Sequence, residues 1–270
     1  MFRSSHPLAW TFHGNTAGVH GILPADERVH LPAPPKEYPS APLLALPGPR
    51  LPPVPLEQAM RERISCRRFS ASPLGLEELA TLLHAAYGIR SRSQLGGLEL
   101  LERPVPSAGG LYPLELYVLV REVEAQPRGV HHYNPVLHGL EQVSATPISR
   151  EAVTALFAGQ PHAGGAGAVV VVTAVVERSL DKYGDRGYRY LLLEAGHVAQ
   201  NLNLAVAALR LGACDLGAFA DHDVAELLGV DLEAEIPLYG IAIGRPEAPG
   251  AGGQGDRRDP SGPPAGELLQ

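Results

Sequence analysis

The stretch that decides the fold lies near the C-terminal end of the chain, at residues 188–211, and reads YRYLLLEAGHVAQNLNLAVAALRL. A helix drawn through it carries apolar side chains on nearly every face and stops at Gly212. Because such a helix is stable only when it is buried, the stretch predicts the spine of the core or of a subunit interface. Glu194, His197 and Asn201 interrupt it at spacings of three and four, so they share a face and form either an internal network or a ligand contact.

The segments on either side of this helix have clear periodicities. Period-3.6 patterns and stop signals predict helices at 56–63, from 76 to Gly88, at 150–158 and at 221–228, whereas β-branched or alternating runs predict strands at 114–120, 168–176 and 236–243 and a hairpin over 129–143. Helices and strands mix without strict alternation. The chain is therefore predicted to have an α+β fold.

The 30 glycines and 26 prolines among 270 residues indicate three regions. Twelve prolines lie in residues 1–55, which predicts an extended N-terminal arm that cannot nucleate a helix and that lies on a surface or is partly disordered. Residues 56–245 have an ordinary globular composition, and residues 246–270 are typical of a Gly/Pro-rich linker.

Charge and cysteine content exclude several classes of protein. A net charge of −7 without a block of like charge argues against a nucleic-acid or anionic membrane partner. The longest uncharged apolar stretch, 163–176, is too short for a membrane helix, and the N-terminus lacks a signal-peptide pattern, so a cytoplasmic location is expected. Two cysteines and scattered histidines give neither a disulfide framework nor a metal site.

A basic segment follows the first predicted globular helix. If it is extended from Ser65 onward, Arg63, Ser65 and Arg67 lie on one side and present two guanidinium groups and a hydroxyl, which suits a phosphate. The alternative is a solvated basic helix end that interacts favourably with the helix dipole.

A glycine loop precedes the strand at 114–120 and reads PVPSAGGLYP at residues 104–113. Its small residues let backbone amides approach a planar ligand, although a tight connection explains the composition equally well. The loop is neither a Walker loop nor a dinucleotide fingerprint.

Lys182 and Tyr183 precede the long helix. Such a pair at the edge of a cleft can accept a proton if burial lowers the pKa of the lysine or if a neighbouring cation lowers the pKa of the tyrosine. An exposed loop lysine is the commoner case.

Taken in order, these segments resemble the nitroreductase superfamily, and more narrowly its SagB-type azoline dehydrogenases. The resemblance covers residues 56–245. The matching segments are Arg63 to Phe69, Pro106 to Pro113, Gly129 to Leu140, Tyr188 to Leu202, Gly217 to Phe219, Leu227 to Gly229 and Pro237 to Gly244.

This resemblance implies a homodimer with a central mixed sheet flanked by helices and with two FMN sites at the subunit interface. Carried over residue by residue, Arg63, Ser65 and Arg67 hold the ribityl phosphate. Pro106, Ser107 and Gly109 reach the isoalloxazine from the partner subunit, and Gly217 lies near the flavin N5. Arg245, or Arg257 and Arg258, supplies a further phosphate cation.

The activity implied is oxidation of a thiazoline or oxazoline in a peptide to the azole. Lys182 or Tyr183 removes a proton as hydride passes to the flavin, which dioxygen or another acceptor then reoxidises, and a cyclodehydratase is an implied partner. Two alternatives stay open: an NAD(P)H-dependent nitro or quinone reductase, and a non-catalytic flavin-binding subunit of a biosynthetic complex. The Lys182-Tyr183 pair favours the dehydrogenase, and the Arg63, Ser65 and Arg67 set argues against a subunit without flavin.

Overall fold

The secondary structure follows the predicted elements and adds several others. A computed structural model describes residues 2–17 and 31–248. The helices are α1 (Phe2–Ser5), α2 (Pro7–Asn15), α3 (Leu56–Glu62), α4 (Leu76–Tyr87), α5 (Arg150–Leu156), α6 (Pro161–Gly165), α7 (Glu177–Tyr183), α8 (Gly187–Ala208) and α9 (Asp221–Leu228). The strands are β1 (Leu43–Ala45), β2 (Ser91–Leu95), β3 (Leu98–Glu102), β4 (Leu114–Val120), β5 (Gly129–Asn134), β6 (Gly139–Ser144), β7 (Ala168–Val175), β8 (Gly212–Leu216) and β9 (Glu235–Gly244).

Seven strands form one sheet in the order β1-β6-β5-β4-β7-β9-β8, and β2 pairs with β3 in a separate hairpin. The α+β prediction is confirmed. The prediction of a mixed sheet is wrong, because every strand pairing in the described sheet is antiparallel. The crossover through α7 and α8 brings β8 into the same direction as β7, but β9 lies between them, so the two never become neighbours.

The alternation of side chains in the central strands creates a core on each face of the sheet. One face packs against α4 and α8, and the other packs against α5 and α9. The first face carries Leu114, Leu116, Val118 and Val120 of β4 with Val170 and Val172 of β7, and the second carries Tyr117, Leu119, Val169 and Val171. Strands covered on both faces need apolar residues at consecutive positions, which explains the uninterrupted apolar run in β7.

Helix α8 is the spine of the first core, as its composition predicts. Leu191, Val198 and Leu202 are fully buried in it. The helix is not covered all round within one chain, because Leu192 and Leu193 remain 44% and 60% exposed. The predicted role of α8 at a subunit interface stays a prediction.

The N-terminal arm differs from its prediction, because an extended conformation throughout residues 1–55 is wrong. Residues 7–15 are helical with Pro7 in the first turn, where proline lacks only a hydrogen bond that a helix start does not use. The ring of Phe12 packs edge-on against Tyr188 of α8. Strand β1 extends the main sheet beside β6. The described part of the arm is thus built partly into the domain.

A buried charged network ties the arm to the sheet. Its members are Lys36, Tyr38, Glu115, Tyr117, His132, Asn134, Glu141, Thr173, Arg178 and Glu235. Lys36 Nζ lies 2.6 Å from Glu235 Oε2, and its backbone N–H donates to Glu115 Oε1. Burial alone would lower the pKa of His132, but hydrogen bonds to Glu115 and Glu141 raise it. The imidazole is therefore stabilised as a cation between two carboxylates.

The structure also bears on the predicted tail and on the search for a membrane-spanning helix. The predicted tail lies outside the described residues from position 249 onward. Within 2–17 and 31–248, none of the helices has the combination of length and apolar character that a bilayer crossing requires.

Candidate functional site

The glycine loop and the Lys182-Tyr183 pair meet at one point. Gly109 has a left-handed backbone with φ of 65°, and a Cβ built on it would lie 2.6 Å from Tyr183 Oη and 2.7 Å from Lys182 Nζ. A Cβ here would displace the polar ends of both side chains, and the left-handed backbone itself favours glycine. The structure thus brings together residues that the sequence placed in separate motifs.

Helix α7 sets the direction of the pair. Lys182 and Tyr183 form its last turn rather than a loop, and the chain reverses at Gly184 with φ of 53°. The ring of Tyr183 packs edge-on against Tyr190 of α8 with centroids 4.9 Å apart. Lys182 Nζ lies 5.4 Å from the centroid of the Tyr183 ring. Both side chains are half-buried, so they remain open to a ligand at Gly109.

The hydroxyl of Ser107 faces the interior. It accepts a hydrogen bond from the backbone N–H of Tyr112 at 2.9 Å and forms a second one with the carboxyl group of Glu194. The predicted contact of Ser107 with a flavin therefore falls to its backbone. Pro106 and Gly109 are exposed beside it, which leaves the outer edge of the loop available for contact with a planar ligand.

The buried support of this loop is what the sequence reasoning missed. Glu194 Oε1 accepts a hydrogen bond from Tyr87 Oη at 2.7 Å, and Arg103 lies over the Tyr87 ring at 4.1 Å. His197, placed on the same helix face by its spacing, is exposed and is not the partner of Glu194. Tyr87 and Arg103 carry no sequence signal for this role, because both come from distant segments.

Asn201 of α8 also contacts the segment that begins the glycine loop. Its amide nitrogen lies 3.4 Å from the carbonyl oxygen of Pro104 and 3.5 Å from that of Ala85. Of the two readings of the polar residues in α8, an internal hydrogen-bond network describes Glu194 and Asn201.

The residues predicted to bind a phosphate, Arg63, Ser65 and Arg67, lie beside β8. Ser65 forms a parallel bridge with Ala213, and the backbone N–H of Cys66 donates to the Ala213 carbonyl at 2.7 Å. Ser65 and Arg67 are exposed and Arg63 is half-buried. The carboxyl of Asp215 is the nearby counter-charge: burial raises its pKa, which the hydrogen bond from Asn203 and the charge of Arg63 partly oppose.

These donors fit a phosphate group. Two guanidinium groups and one hydroxyl on an accessible extended segment form the kind of donor set that phosphate oxygens accept from. The charge of Asp215 interacts with that of Arg63, and Arg67 is exposed on the same segment. The residues present are therefore compatible with FMN, whose binding here is taken up below as a proposal.

Gly217 and Arg245 have different surroundings. Gly217 follows β8, is exposed, and a Cβ on it would lie 3.7 Å from the ring of Tyr239, so its outer side is open. Arg245 is held by Glu78 at 2.9 Å and by the carbonyl of Pro73. A phosphate role for Arg245 stays a prediction that requires this pair to open. The other predicted cations, Arg257 and Arg258, lie outside the described residues.

The glycine loop and the phosphate-binding residues lie on different strands: the loop precedes the start of β4, whereas Ser65 bridges Ala213, which the strand register places level with Val120 at the other end of β4. The glycine loop leads into β4 and Gly217 follows β8, and these strands are three positions apart in the sheet order. At about 4.8 Å per strand, this corresponds to a lateral separation of roughly 14 Å.

Among the described residues, no group of three or more His, Cys, Asp or Glu side chains has the arrangement of a metal site.

The model of the nitroreductase family matches residues 60–245. The chain is 38% identical over 192 residues to the putative nitroreductase MJ1384 of Methanocaldococcus jannaschii, a match that covers 71% of this chain and 91% of the relative.

A second group of relatives is named for peptide processing. The chain is 32% identical over 143 residues to the microcin B17-processing protein McbC of Escherichia coli, which covers 51% of this chain and about half (52%) of McbC. It also superposes with a TM-score of 0.60 and 25% identity on a chain of the solved E. coli microcin synthetase McbBCD complex with truncated pro-MccB17 bound, covering 90% of this chain and 93% of that one.

Proposed function

This chain belongs to the nitroreductase family, and on that premise we propose that it is an FMN-dependent dehydrogenase that oxidises an azoline ring in a peptide to an azole. One observation carries the proposal: the ends of Lys182 and Tyr183 converge on Gly109 in the predicted flavin-contacting loop. The similarity to a microcin-processing protein, and to a complex with a pro-microcin bound, supports a peptide substrate.

The chemistry requires a base at this point. Converting an azoline to an azole removes one proton and one hydride equivalent from the ring. FMN, when bound, supplies the acceptor for the hydride. Lys182 or Tyr183 accepts the proton, since both side chains end beside the same exposed glycine and a base must lie within hydrogen-bond reach of the proton it removes.

The segment from Arg63 to Arg67 is proposed to hold the ribityl phosphate of FMN. Arg67→Ala removes one exposed guanidinium from the set. Because a hydrogen bond to a charged group contributes about 1.5–3 kcal/mol, the Kd for FMN should rise roughly 10- to 100-fold. Quenching of FMN fluorescence measures it. Arg61→Ala removes an exposed guanidinium paired with Glu57 and should leave the Kd unchanged, and an equal effect of both variants would contradict the assignment.

A homodimer is proposed to complete the site. Leu56, Met60 and Ile64 recur every four residues along and just beyond α3, and they are 65%, 60% and 72% exposed. Leu193 on α8, the helix against which α3 packs, is 60% exposed. A second copy of the chain would cover this apolar surface. It would also bring the glycine loop of one chain towards the phosphate-binding residues of the other. Sedimentation equilibrium should give the mass of two chains, and Met60→Glu should shift it towards one.

The proposed function is tested by the visible spectrum of the protein reconstituted with FMN. Under anaerobic conditions, addition of an azoline-containing peptide should bleach the flavin absorbance, and mass spectrometry should show a loss of two hydrogens from the peptide. A cyclodehydratase is the partner expected to supply such a peptide, since it forms azolines from cysteine or serine side chains.

The second candidate is a nitro or quinone reductase that uses NAD(P)H. The match to a putative nitroreductase over 91% of the relative's length favours it. Bleaching by NADPH but not by the azoline peptide would establish this candidate and overturn the dehydrogenase. Bound flavin that neither compound bleaches would indicate a non-catalytic subunit.

A further inference from the structure

We propose that Glu194 is a positioning residue whose buried carboxyl group holds Ser107 and Tyr87, and through them fixes the 107–112 loop against the ends of Lys182 and Tyr183. The role in turnover rests on the proposed function. The role in loop geometry does not, because it concerns contacts within the chain alone.

The loop is attached to Glu194 at two points. Ser107 bonds to Glu194 through its hydroxyl, which also accepts from the N–H of Tyr112. Tyr87 Oη donates to Glu194 and accepts from the N–H of Leu114 at 3.1 Å. One carboxyl group thus controls both the start of the loop and the start of β4.

The backbone of the loop is strained. Gly109, Gly110 and Tyr112 have φ of 65°, 67° and 47°, a left-handed conformation that is unfavourable for a residue with a side chain such as Tyr112. Such a backbone persists when its surroundings hold it. The hydrogen bond from Tyr112 N–H to Ser107 is one such restraint, and it depends on the orientation of a hydroxyl that Glu194 fixes.

The groups that face Glu194 are Tyr87 from α4, and Arg103 and Ser107 from the segment before β4. Burial raises the pKa of Glu194 to about 7, although the hydrogen bonds from Ser107 and Tyr87 and the charge of Arg103 oppose the rise. Because Glu194 is only 2% exposed, it binds the proton more tightly than it would in any state of the loop that lets water reach the carboxylate.

The sign of the pH dependence follows from this difference. The stability that Glu194 gives to the loop conformation in the structure is fully present below the ordinary pKa of a glutamic acid and is lost as the pH rises through about 7. The loop should therefore be held best by the neutral acid. Glu194→Gln retains a neutral acceptor of the same shape and should hold the loop at every pH, whereas Glu194→Leu should not hold it at any pH.

Hydrogen exchange in the protein without added FMN tests the loop directly. In the wild type, protection of peptides spanning residues 107–114, corrected for intrinsic exchange, should fall between pH 6 and pH 8. It should stay constant in Glu194→Gln and be low throughout in Glu194→Leu. His197→Gln, an exposed change on the same helix, should behave as the wild type. Should Glu194→Leu fail to fold, Ser107→Ala removes the same link from the other side and should lower protection in these peptides.

Turnover provides the second measurement. In Glu194→Leu the rate should fall between about 10- and 100-fold, the cost of a displacement of roughly 1 Å at a reacting centre. Equal pH dependence of exchange in the wild type and Glu194→Gln would overturn the positioning role, as would unchanged protection in Ser107→Ala. An unreactive flavin in the wild type would instead reject the proposed function and leave the exchange result to decide the role of Glu194. A purely structural Glu194 would change global stability but not this local pH dependence.

Discussion

Lys182→Ala should lower the rate of azoline oxidation by about 10²- to 10⁴-fold, which is the usual contribution of a positioned general base. FMN should remain bound, because the proposed phosphate donors lie beside β8 and are not changed by this substitution. Stopped-flow bleaching of the bound flavin under saturating peptide measures the rate without a contribution from reoxidation.

Tyr183→Phe separates the roles of the two side chains. The phenyl ring keeps the edge-on packing against Tyr190, so only the hydroxyl at Gly109 is lost. The variant with the larger rate loss identifies the proton acceptor, and the other residue then supports it by charge or by a hydrogen bond. Asp181→Asn changes an exposed neighbour on the same helix and should keep the wild-type rate. Wild-type rates in both Lys182→Ala and Tyr183→Phe would place the base elsewhere.

Glu115→Gln should lower the free energy of unfolding by about 3–5 kcal/mol, the typical cost of removing one partner from a buried ion pair. Glu115 is 1% exposed, and its carboxylate lies 2.6 Å from Arg178 and 3.0 Å from His132. Burial alone would raise the pKa of Glu115, but hydrogen bonds from His132 and the charge of Arg178 lower it. The neutral amide would leave two buried cations without this shared counter-charge.

Urea unfolding followed by circular dichroism measures this loss, and the chain contains a matched control. Glu99 pairs with Arg92 at 3.0 Å, but both side chains are 47% exposed. The same substitution there, Glu99→Gln, should cost less than about 1 kcal/mol, because water already solvates both charges. Similar losses in the two variants would show that Glu115 is not an essential member of the buried network.

The local signals in the sequence succeeded where a single segment carries the information. The period of two in β4, the apolar run in β7 and the 3.6-residue period in α4 each predicted an element of the right type. Strand β8 was missed, because five residues containing a cysteine and an aspartate carry too short a pattern. Helix α2 was missed because proline density was weighed above the favourable place of Pro7 in a first turn.

The amino-acid sequence by itself determined the class of fold, since periodicity is a local property. Through the order of its motifs and their resemblance to the nitroreductase superfamily, it also gave the two segments proposed to contact a flavin and the residues proposed as the base. Only the tertiary structure decided which of these meet. It places Lys182 and Tyr183 against Gly109 and puts β9 between β7 and β8. It also pairs Glu194 with Tyr87 rather than with His197. These contacts depend on how distant segments pack over a shared core. The spacing of residues along one helix or strand does not show which distant segment will pack against it.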